Sequence, residues 1–434
     1  MLRTLYVLCL LSSLALAEAE WPQFRGPGGE GVVAGEAPLA WSETEHIRFR
    51  TPLPGRGWSS PVVEGNQIWL TTAIEVAASE DERRAQAAKI PNADTHQLAA
   101  ELSLRAVCVD RTTGKILHDI ELFSPEKVDP IHALNSYASP TPVIEAGRLY
   151  CWFGTYGVCC VDTQKAEVLW RQELPLNHYV GPGSSPLLEG DVLVLTCDGA
   201  DQQYVAGLDK HSGDLLWKTP RPPLREQNPD MRKSYCTPLA LTVAGKRQVI
   251  IPGAQWLVSY DPASGKENWR HDHGSGFSIT PRPVHHGGLV FFATGFGDQR
   301  TVAVRLDGAG DITADAEVWS SKRQSPTMPS PLVHRNRLYT ISDGGVAVCY
   351  EAPSGKRLWQ KRMSGKYSAS PLAIGDRLYF FSQEGVTTIL DGSQAEPTIL
   401  AQNELDGRIM ATPAVVDGEL LLRTDQALYA ISAE

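Results

Sequence analysis

The sequence predicts an all-β chain folded as an eight-bladed β-propeller of four-stranded antiparallel blades, because two anchors recur along it. The first anchor is a Ser or Thr followed by Pro, a short apolar run, a turn and a second apolar run. The second is an acidic residue with Gly four positions later and Trp eight positions later. Each unit contains four strand-like runs, and such a sheet buries both faces only when copies stack around an axis.

The first anchor occurs eight times and sets the number of blades. Seven of its prolines follow Ser or Thr, and Arg282 takes that place in the fifth copy. The prolines are Pro61, Pro142, Pro186, Pro238, Pro283, Pro331, Pro371 and Pro413. The first interval is much the longest, so we expect an insertion at residues 73–101 of blade 1. Its Ala-, Glu- and Arg-rich residues 75–89 predict a short helix.

The second anchor predicts how a third strand turns into a fourth. Asp209, Gly213 and Trp217 set its spacing, which recurs at residues 261–269 and 351–359. The acidic side chain can accept backbone N–H bonds across a tight turn, and Gly supplies the positive φ that such turns need. The Trp then begins the next strand, where we expect it to wedge between adjacent blades.

The two ends of the chain carry complementary parts of one blade. Residues 47–53 resemble a fourth strand with Phe49 in place of the Trp, and residues 410–432 contain only three strand-like runs. We expect the N-terminal strand to complete the last sheet, which closes the ring and removes its open edges. One propeller then spans residues 45–434, after a Gly- and Pro-rich lead-in at residues 18–44 that should lie on the surface.

The N-terminus predicts export. Arg3 precedes an apolar run at residues 5–16 and a small-residue cleavage site, so residues 1–17 form a signal peptide, with cleavage after Ala19 as the alternative. No second run approaches the roughly 20 apolar residues that cross a bilayer. The mature chain is therefore expected to be a soluble monomer in the periplasm or outside the cell. With 40 basic and 50 acidic residues, it is not expected to bind nucleic acid.

Function is expected at one end of the propeller. The blade-to-blade loops and the links between second and third strands meet there and converge on the axis as a funnel. Aromatic residues in these loops either ring the mouth or pack between blades: Trp58, Tyr137, Tyr179, Tyr235, Phe277 and Tyr367. The polar candidates for contact with a ligand or cofactor are Asn177, His178, Tyr179, Arg232, Lys233 and Arg282, with His132, Asn135 and Lys366 as further loop residues.

Two carboxylates in the second-to-third-strand link of blade 3 are candidate metal ligands. Asp198 and Asp201 offer the oxygen atoms that Ca²⁺ prefers. The sequence contains no nucleophile elbow, phosphate-binding loop or zinc motif, so no catalytic residue is assigned.

The cysteines permit two interpretations. Cys108, Cys160 and Cys349 stand two residues before the acidic anchor, where a small buried side chain fits. The adjacent Cys159 and Cys160 could instead form a strained vicinal disulfide, although successive strand residues point to opposite faces.

The anchors LDKHSGDLLW, YDPASGKENW and YEAPSGKRLW resemble the repeats of PQQ-like, quinoprotein-type eight-bladed propellers. CWFGTYGVCCVD and NHYVGPGSSP further resemble an exported group found in planctomycetes. The quinoprotein alcohol dehydrogenase branch implies PQQ and Ca²⁺ in the funnel, a catalytic Asp and a vicinal disulfide. The outer-membrane barrel-assembly lipoprotein implies a scaffold without enzymatic activity, acting by strand addition and loop docking.

Of these two, we favour an exported binding or scaffold protein. Its partner would be an envelope protein or a small polar ligand at the funnel face. The alternative is an oxidoreductase that uses PQQ or a related cofactor.

Overall fold

The protein, analysed as a computed structural model, is described here over residues 20–87 and 95–433. The predicted signal peptide and both of its cleavage sites lie outside the described residues. Within these ranges, eight four-stranded antiparallel sheets form the blades of one propeller, which confirms the predicted fold. The first strands of blades 1 and 2, 3 and 4, 5 and 6, 6 and 7, and 8 and 1 contact one another, so the blades begin at the axis and end at the rim.

Blade 1 consists of Val62–Glu64, Gln67–Ala77, Ala99–Asp110 and Ile116–Phe123, and blade 2 of Val143–Glu145, Arg148–Trp152, Val158–Asp162 and Glu167–Gln172. Blade 3 consists of Leu187–Glu189, Val192–Asp198, Gln203–Asp209 and Leu215–Pro220, and blade 4 of Leu239–Val243, Lys246–Pro252, Trp256–Tyr260 and Glu267–Asp272. Blade 5 consists of Val284–His286, Leu289–Ala293, Thr301–Arg305 and Glu317–Ser321, and blade 6 of Leu332–His334, Arg337–Ile341, Val346–Glu351 and Arg357–Arg362. Blade 7 consists of Leu372–Ile374, Arg377–Phe381, Val386–Asp391 and Ile399–Glu404, and blade 8 of Ala414–Val416, Glu419–Arg423, Ala427–Ile431 and Ile47–Pro52. Short additional strands are Val32–Val33 on blade 7, Gly310–Asp311 on blade 4, and the pair His96–Gln97 and Ile131–His132.

The ring closes as predicted. Ile47–Pro52 is the outermost strand of blade 8 and pairs antiparallel with Ala427–Ile431. The first strands of blades 1 and 8 also contact each other, so the two ends of the chain are joined both at the rim and near the axis.

The acidic turns connect neighbouring blades. Asp209 Oδ1 accepts the backbone N–H of His211 at 2.8 Å and of Ser212 at 2.9 Å, and Gly213 has φ 80°. A Cβ on Gly213 would lie 2.6 Å from the ring of Trp170, the Trp of the preceding blade. Trp217 in turn donates from Nε1 to Pro262 O of the next blade at 3.0 Å. The Trp therefore packs on the turn of the following blade, and Gly is needed for both its φ and its lack of a Cβ.

This packing makes a prediction about two glycines with nearly the same backbone conformation. Gly355 has φ 68° and a Cβ there would overlap the ring of Trp319, whereas Gly310 has φ 69° and a Cβ there would meet no neighbouring atom within 4 Å. Gly310→Ala should lower the free energy of unfolding by about 1–2 kcal/mol, the cost of left-handed backbone. Gly355→Ala should lower it by about 1–3 kcal/mol more, because the methyl group displaces the Trp. Urea denaturation measures both, and equal losses would contradict a wedging Trp.

The insertion in blade 1 is partly strand. The second strand continues to Ala77 and the third begins at Ala99, so only the residues between them form the insertion. Its helix, Glu80–Ala87, is shorter than the predicted 75–89. A capping box sets its start: the Glu82 carboxylate accepts the Ser79 backbone N–H at 2.8 Å, and Ser79 Oγ accepts the Glu82 N–H at 3.3 Å. Residues 88–94 lie outside the described part.

The first half of the lead-in is largely buried, which corrects the expectation from its glycines and prolines that the whole segment lies on the surface, whereas residues 34–36, 39 and 40 are exposed. Trp21 is 1% exposed and exchanges two backbone hydrogen bonds with Val63 of the innermost strand of blade 1, at 3.2 and 2.9 Å. Val32–Val33 then pairs in parallel with the innermost strand of blade 7. Residues 20–33, here called the plug, therefore lie in the central channel.

The plug enters from the end opposite the funnel. Glu20 forms a 2.6 Å ion pair with Arg111, which belongs to the third-to-fourth-strand turn of blade 1. In a four-stranded meander these turns lie at the other end from the blade-to-blade loops. The glycines of the plug allow close approach, since a Cβ on Gly29, whose φ is 73°, would overlap the guanidinium of Arg282.

Candidate functional site

A cavity of 470 Å³ opens where the blade-to-blade loops converge, at the end of the propeller that the sequence predicted. Its wall is mainly apolar and includes Trp58, Leu134, Tyr235, Phe277, Phe296 and Met328. Phe24, from the tip of the plug, also lines it, so the plug contributes to its floor. We call this cavity the funnel.

The Ser and Thr residues of the first anchor also line the funnel, and they join the blades by hydrogen bonds. In each link the hydroxyl accepts the backbone N–H of the anchor residue in the preceding blade, over 2.9 to 3.0 Å. The six accepting residues, here called the hydroxyl ring, are Thr141, Ser185, Thr237, Ser330, Ser370 and Thr412. These bonds explain why a hydroxyl precedes the anchor proline, and Arg282 interrupts the series between Thr237 and Ser330.

Two buried arginines hold the tip of the plug. Arg25 donates to Pro331 O at 2.7 Å and to Pro371 O at 3.3 Å, and Arg282 donates to Phe24 O at 2.9 Å. Both arginines are 1% exposed. Burial lowers the pKa of Arg25 to about 9, helped by the nearby charge of Arg282, and burial lowers the pKa of Arg282 to about 10. Both guanidinium groups therefore remain charged at neutral pH.

Of the six predicted polar contact residues, the structure places Lys233 in the lining of the funnel and Arg282 in the support of its floor. Lys233 Nζ donates to Asp230 O at 2.8 Å, forms an ion pair with the Asp230 carboxylate, and lies 4.9 Å from the centre of the Tyr179 ring. Burial lowers the pKa of Lys233 to about 8.

The other polar candidates lie beside the funnel. Asn177, His178 and Tyr179 line a separate cavity of 210 Å³ near blade 2, and burial lowers the pKa of His178 to about 4. Arg232 donates from Nη2 to Gln203 Oε1 at 3.1 Å. The six predicted residues therefore do not converge on one cavity.

The two carboxylates predicted as metal ligands have other partners. Asp198 is 1% exposed and accepts two bonds from Arg221, at 2.7 Å from Nη2 and 3.0 Å from Nε. Burial raises the pKa of the Asp198 carboxyl, and the charge of Arg221 opposes that rise. Asp201 Oδ1 accepts the backbone N–H of Asn177 at 2.9 Å. In the described ranges no three or more His, Cys, Asp or Glu side chains are grouped as a metal site.

The aromatic candidates divide between the two predicted roles. Trp58, Tyr235 and Phe277 line the funnel, whereas Tyr137 and Tyr367 are buried in the hydrophobic core between blades. Sequence reasoning missed other lining residues: Phe24, Phe296, Met328 and Met410. The signal for Phe296 was available, because it lies in the second-to-third-strand link of blade 5, at the funnel end.

The adjacent cysteines are both free and fully buried. Cys159 packs in the core shared with blade 1, and Cys160 packs on the opposite face in the core shared with blade 3. Cys108 and Cys349 are likewise buried, as expected for small core residues.

A family model described as outer membrane protein assembly factor BamB matches residues 26–219, 105–309 and 305–398, which together extend over residues 26–398. The chain belongs to this family. Among curated protein sequences, none matches the chain significantly.

Solved structures share the propeller fold of this BamB-family chain at low sequence identity. BamB from Moraxella catarrhalis is 15% identical, with a TM-score of 0.56 over 76% of this chain and 93% of its own. Quinohemoprotein alcohol dehydrogenase from Comamonas testosteroni is 9% identical, with a TM-score of 0.63 over 95% and 80%. The computationally designed Ika8 protein is 9% identical, with a TM-score of 0.55 over 88% and 98%. At these identities the likeness shows the fold.

The quinoprotein fold raises the question of whether the funnel could hold PQQ with Ca²⁺. Calcium takes six to eight oxygen ligands, usually including carboxylates. The described residues that line the funnel include one carboxylate, that of Asp230, and this carboxylate already forms an ion pair with Lys233. The oxygens of the hydroxyl ring accept backbone N–H groups. The donor set therefore does not fit the calcium ion, and we derive no reaction step through PQQ.

Proposed function

We propose that this BamB-family propeller is an exported binding or scaffold protein whose funnel receives a ligand or a segment of an envelope protein. The observation that supports it most is the apolar wall of the funnel, which continues onto the exposed surface at Phe296 and Leu134, 42% and 40% exposed. Exposed apolar side chains around a concave pocket are typical of binding sites. Among the helices of the described ranges, none is long and apolar enough to cross a membrane.

The polar groups of the funnel support binding and orientation of an occupant. His132 Nδ1 accepts the backbone N–H of Leu134 at 3.1 Å, so in the neutral ring the proton lies on Nε2, from which it can be donated. The side-chain amide of Asn135 donates to Val180 O at 2.9 Å and to Pro182 O at 3.1 Å. It therefore holds the loop in place and does not point a free donor at an occupant. A few oriented polar groups in an apolar wall can select the pose of a ligand.

Export is the second part of the proposal. Cleavage after Ala17 or Ala19 would leave Trp21 in place to pair with Val63, so either site is compatible with the plug. N-terminal sequencing of the protein from a soluble envelope fraction tests this, and a retained Met1 would refute it.

The wall of the funnel gives a matched pair of variants. Phe296 at the funnel mouth and Leu400 on the outer edge of blade 7 are both 42% exposed. Phe296→Asp should reduce cross-linked capture of the envelope partner about 30-fold, as expected for an interface residue worth roughly 2 kcal/mol. Leu400→Asp should leave capture unchanged, because it adds the same charge far from the funnel. Capture that survives Phe296→Asp, or that both variants abolish, would refute the funnel as the binding site.

The oxidoreductase alternative has its own measurement. The purified mature protein is titrated with PQQ, with and without Ca²⁺, and followed by absorbance and melting temperature. A ligand that binds the folded state raises the melting temperature. Saturable, Ca²⁺-dependent binding with oxidation of alcohols or sugars by an artificial acceptor would replace the scaffold proposal. Unchanged absorbance and melting temperature would leave the scaffold proposal in place.

A further inference from the structure

The hydroxyl ring has hydrogen-bond capacity left over. A hydroxyl group can accept hydrogen bonds and also donate one. Each of the six oxygens accepts a backbone N–H, but among the described residues none accepts the hydroxyl hydrogens in return. All six side chains line the funnel and are at most 5% exposed. Six O–H donors are therefore arranged around one axis, and no hydrogen bond from them to the described part of the chain uses these hydrogens.

Positive charge lies beneath these donors. Arg25 and Arg282 are hydrogen-bonded to backbone carbonyls, and the Nε of each is buried without a partner. Glu30, the nearby acidic residue of the plug, has its carboxylate 2.8 Å from His285 Nδ1, and its charge also opposes the lowering of the pKa of both arginines. Buried charges are normally paired, because removal from water is expensive. The two cations beneath the floor, offset in part by Glu30, contribute positive electrostatic potential, and the low dielectric lets that contribution reach the ring.

The wall above the ring is apolar. Phe277 and Phe296 lie with ring centres 6.2 Å apart, and Met328 and Met410 also line the funnel. An occupant that satisfies both regions needs acceptor oxygens at one end and an apolar body at the other.

We propose that the funnel binds an organic anion, with its carboxylate or phosphate oxygens on the hydroxyl ring and its apolar body along Phe277 and Phe296. This rests on the proposed function, because it names the ligand class of the same cavity. Arg25 and Arg282 act from beneath by their charge, and Phe24 separates them from the ligand.

Calorimetric titration of the purified mature protein with matched probes tests this inference. Phenyl phosphate and octanoate carry the anionic group on an apolar body, phenol and octanol have the body alone, and inorganic phosphate has the charge alone. We expect saturable binding of phenyl phosphate or octanoate. The probe that binds more tightly identifies whether the anionic group of the ligand is a phosphate or a carboxylate. The neutral partner and inorganic phosphate should each bind at least about 10-fold more weakly, since the neutral probe lacks the charged acceptor and inorganic phosphate lacks the apolar body.

Substitutions at Thr237 separate the hydroxyl from the shape of the side chain. Thr237→Val removes the donor and should weaken binding of the favoured anion about 10-fold, whereas Thr237→Ser keeps the hydroxyl and should stay within about 3-fold. Phenol should bind equally to both variants.

Since Thr237→Val also removes the acceptor of the Ser185 N–H, Arg282→Thr provides a second variant. It places a hydroxyl where seven of the eight repeats have one, so we expect it to fold. Because the added O–H donor offsets part of the lost positive charge, anion binding should weaken by about 3-fold.

The outcomes distinguish this inference from the proposed function. Neutral probes that bind as tightly as their anions, or full anion affinity in both Thr237→Val and Arg282→Thr, would overturn the anion receptor and leave an apolar funnel. Failure of every probe to bind would also overturn it. The proposed function is decided separately, by capture with Phe296→Asp.

Discussion

Replacing Arg221 with Met is expected to lower the free energy of unfolding by about 3–5 kcal/mol at pH 7. The Arg221 and Asp198 side chains are 3% and 1% exposed, and they form a two-bond ion pair at the end of the second strand of blade 3. Arg221 also donates to Ile251 O of blade 4 at 3.0 Å, so the pair joins two blades. Methionine fills similar space but leaves a buried carboxylate without its cation.

The loss of stability in Arg221→Met should depend on pH, and the ionisation of Asp198 determines whether the loss grows or shrinks as the pH rises. Burial already raises the pKa of this carboxyl while Arg221 opposes the rise, so removal of Arg221 must raise it further. A folded-state pKa above the unfolded value of about 3.9 gives stability that is present below that value and lost as the pH rises through the folded pKa. The deficit of Arg221→Met should therefore be largest at pH 7 and shrink toward pH 4.

Arg225 provides the control from the same loop. It pairs with Asp272, but its side chain is 54% exposed. Arg225→Met should lower the free energy of unfolding by no more than about 1 kcal/mol. Urea denaturation at pH 7 and pH 4 compares the variants with the parent. A deficit in Arg221→Met that equals that of Arg225→Met, or that does not change with pH, would show that the buried pair adds little.

The propeller could be predicted because its repeating signals are local. An acidic side chain, a glycine and a tryptophan at fixed spacing determine one turn, and that turn is also the surface on which the preceding blade packs. Asp209, Gly213 and Trp217 thus encode both a chain reversal and a blade contact. The hydroxyl before the anchor proline was recognised only as a pattern, because its partner is in the preceding blade and not in its own.

The plug could not be predicted because its partners are distant in sequence. Glycine and proline at residues 22–38 are typical of an exposed loop, and no local periodicity indicates burial. Arg25 becomes buried because the carbonyls of Pro331 and Pro371, more than 300 residues later, accept its guanidinium hydrogens. The ring of inner strands must form before that environment exists.

The end of the propeller at which a cavity opens could be predicted, but the lining of that cavity only in part. The convergence of loops follows from meander topology, and the cavity lies where those loops meet. In the sequence, Asp198 has the pattern of a ligand-binding loop residue. In the structure it is paired with Arg221, which directly follows the fourth strand of blade 3. The sequence does not reveal which polar loop residues are already occupied by one another.

The last prediction concerns the stability of the plug and how readily it opens. Trp21→Ala should lower the free energy of unfolding by about 3–5 kcal/mol, because it removes a nearly fully buried side chain from the channel. It should also loosen residues 20–33 locally, since Trp21 is the part of the plug that pairs with the innermost strand of blade 1. Hydrogen exchange should then speed up at the Trp21, Gly26 and Gly29 amides, and also at Val63, whose amide donates to Trp21 O.

Trp217→Ala separates local loosening from general destabilisation. Trp217 lies on the outermost strand of blade 3 and contacts blade 4, away from the plug. Its loss should destabilise the propeller while the plug amides exchange only through global unfolding. Faster exchange at the plug in both variants would mean that the plug opens only with the whole ring. Faster exchange in Trp21→Ala alone would show that the floor of the funnel opens independently, and since Phe24 lines that floor, the same variant should also weaken binding in the funnel.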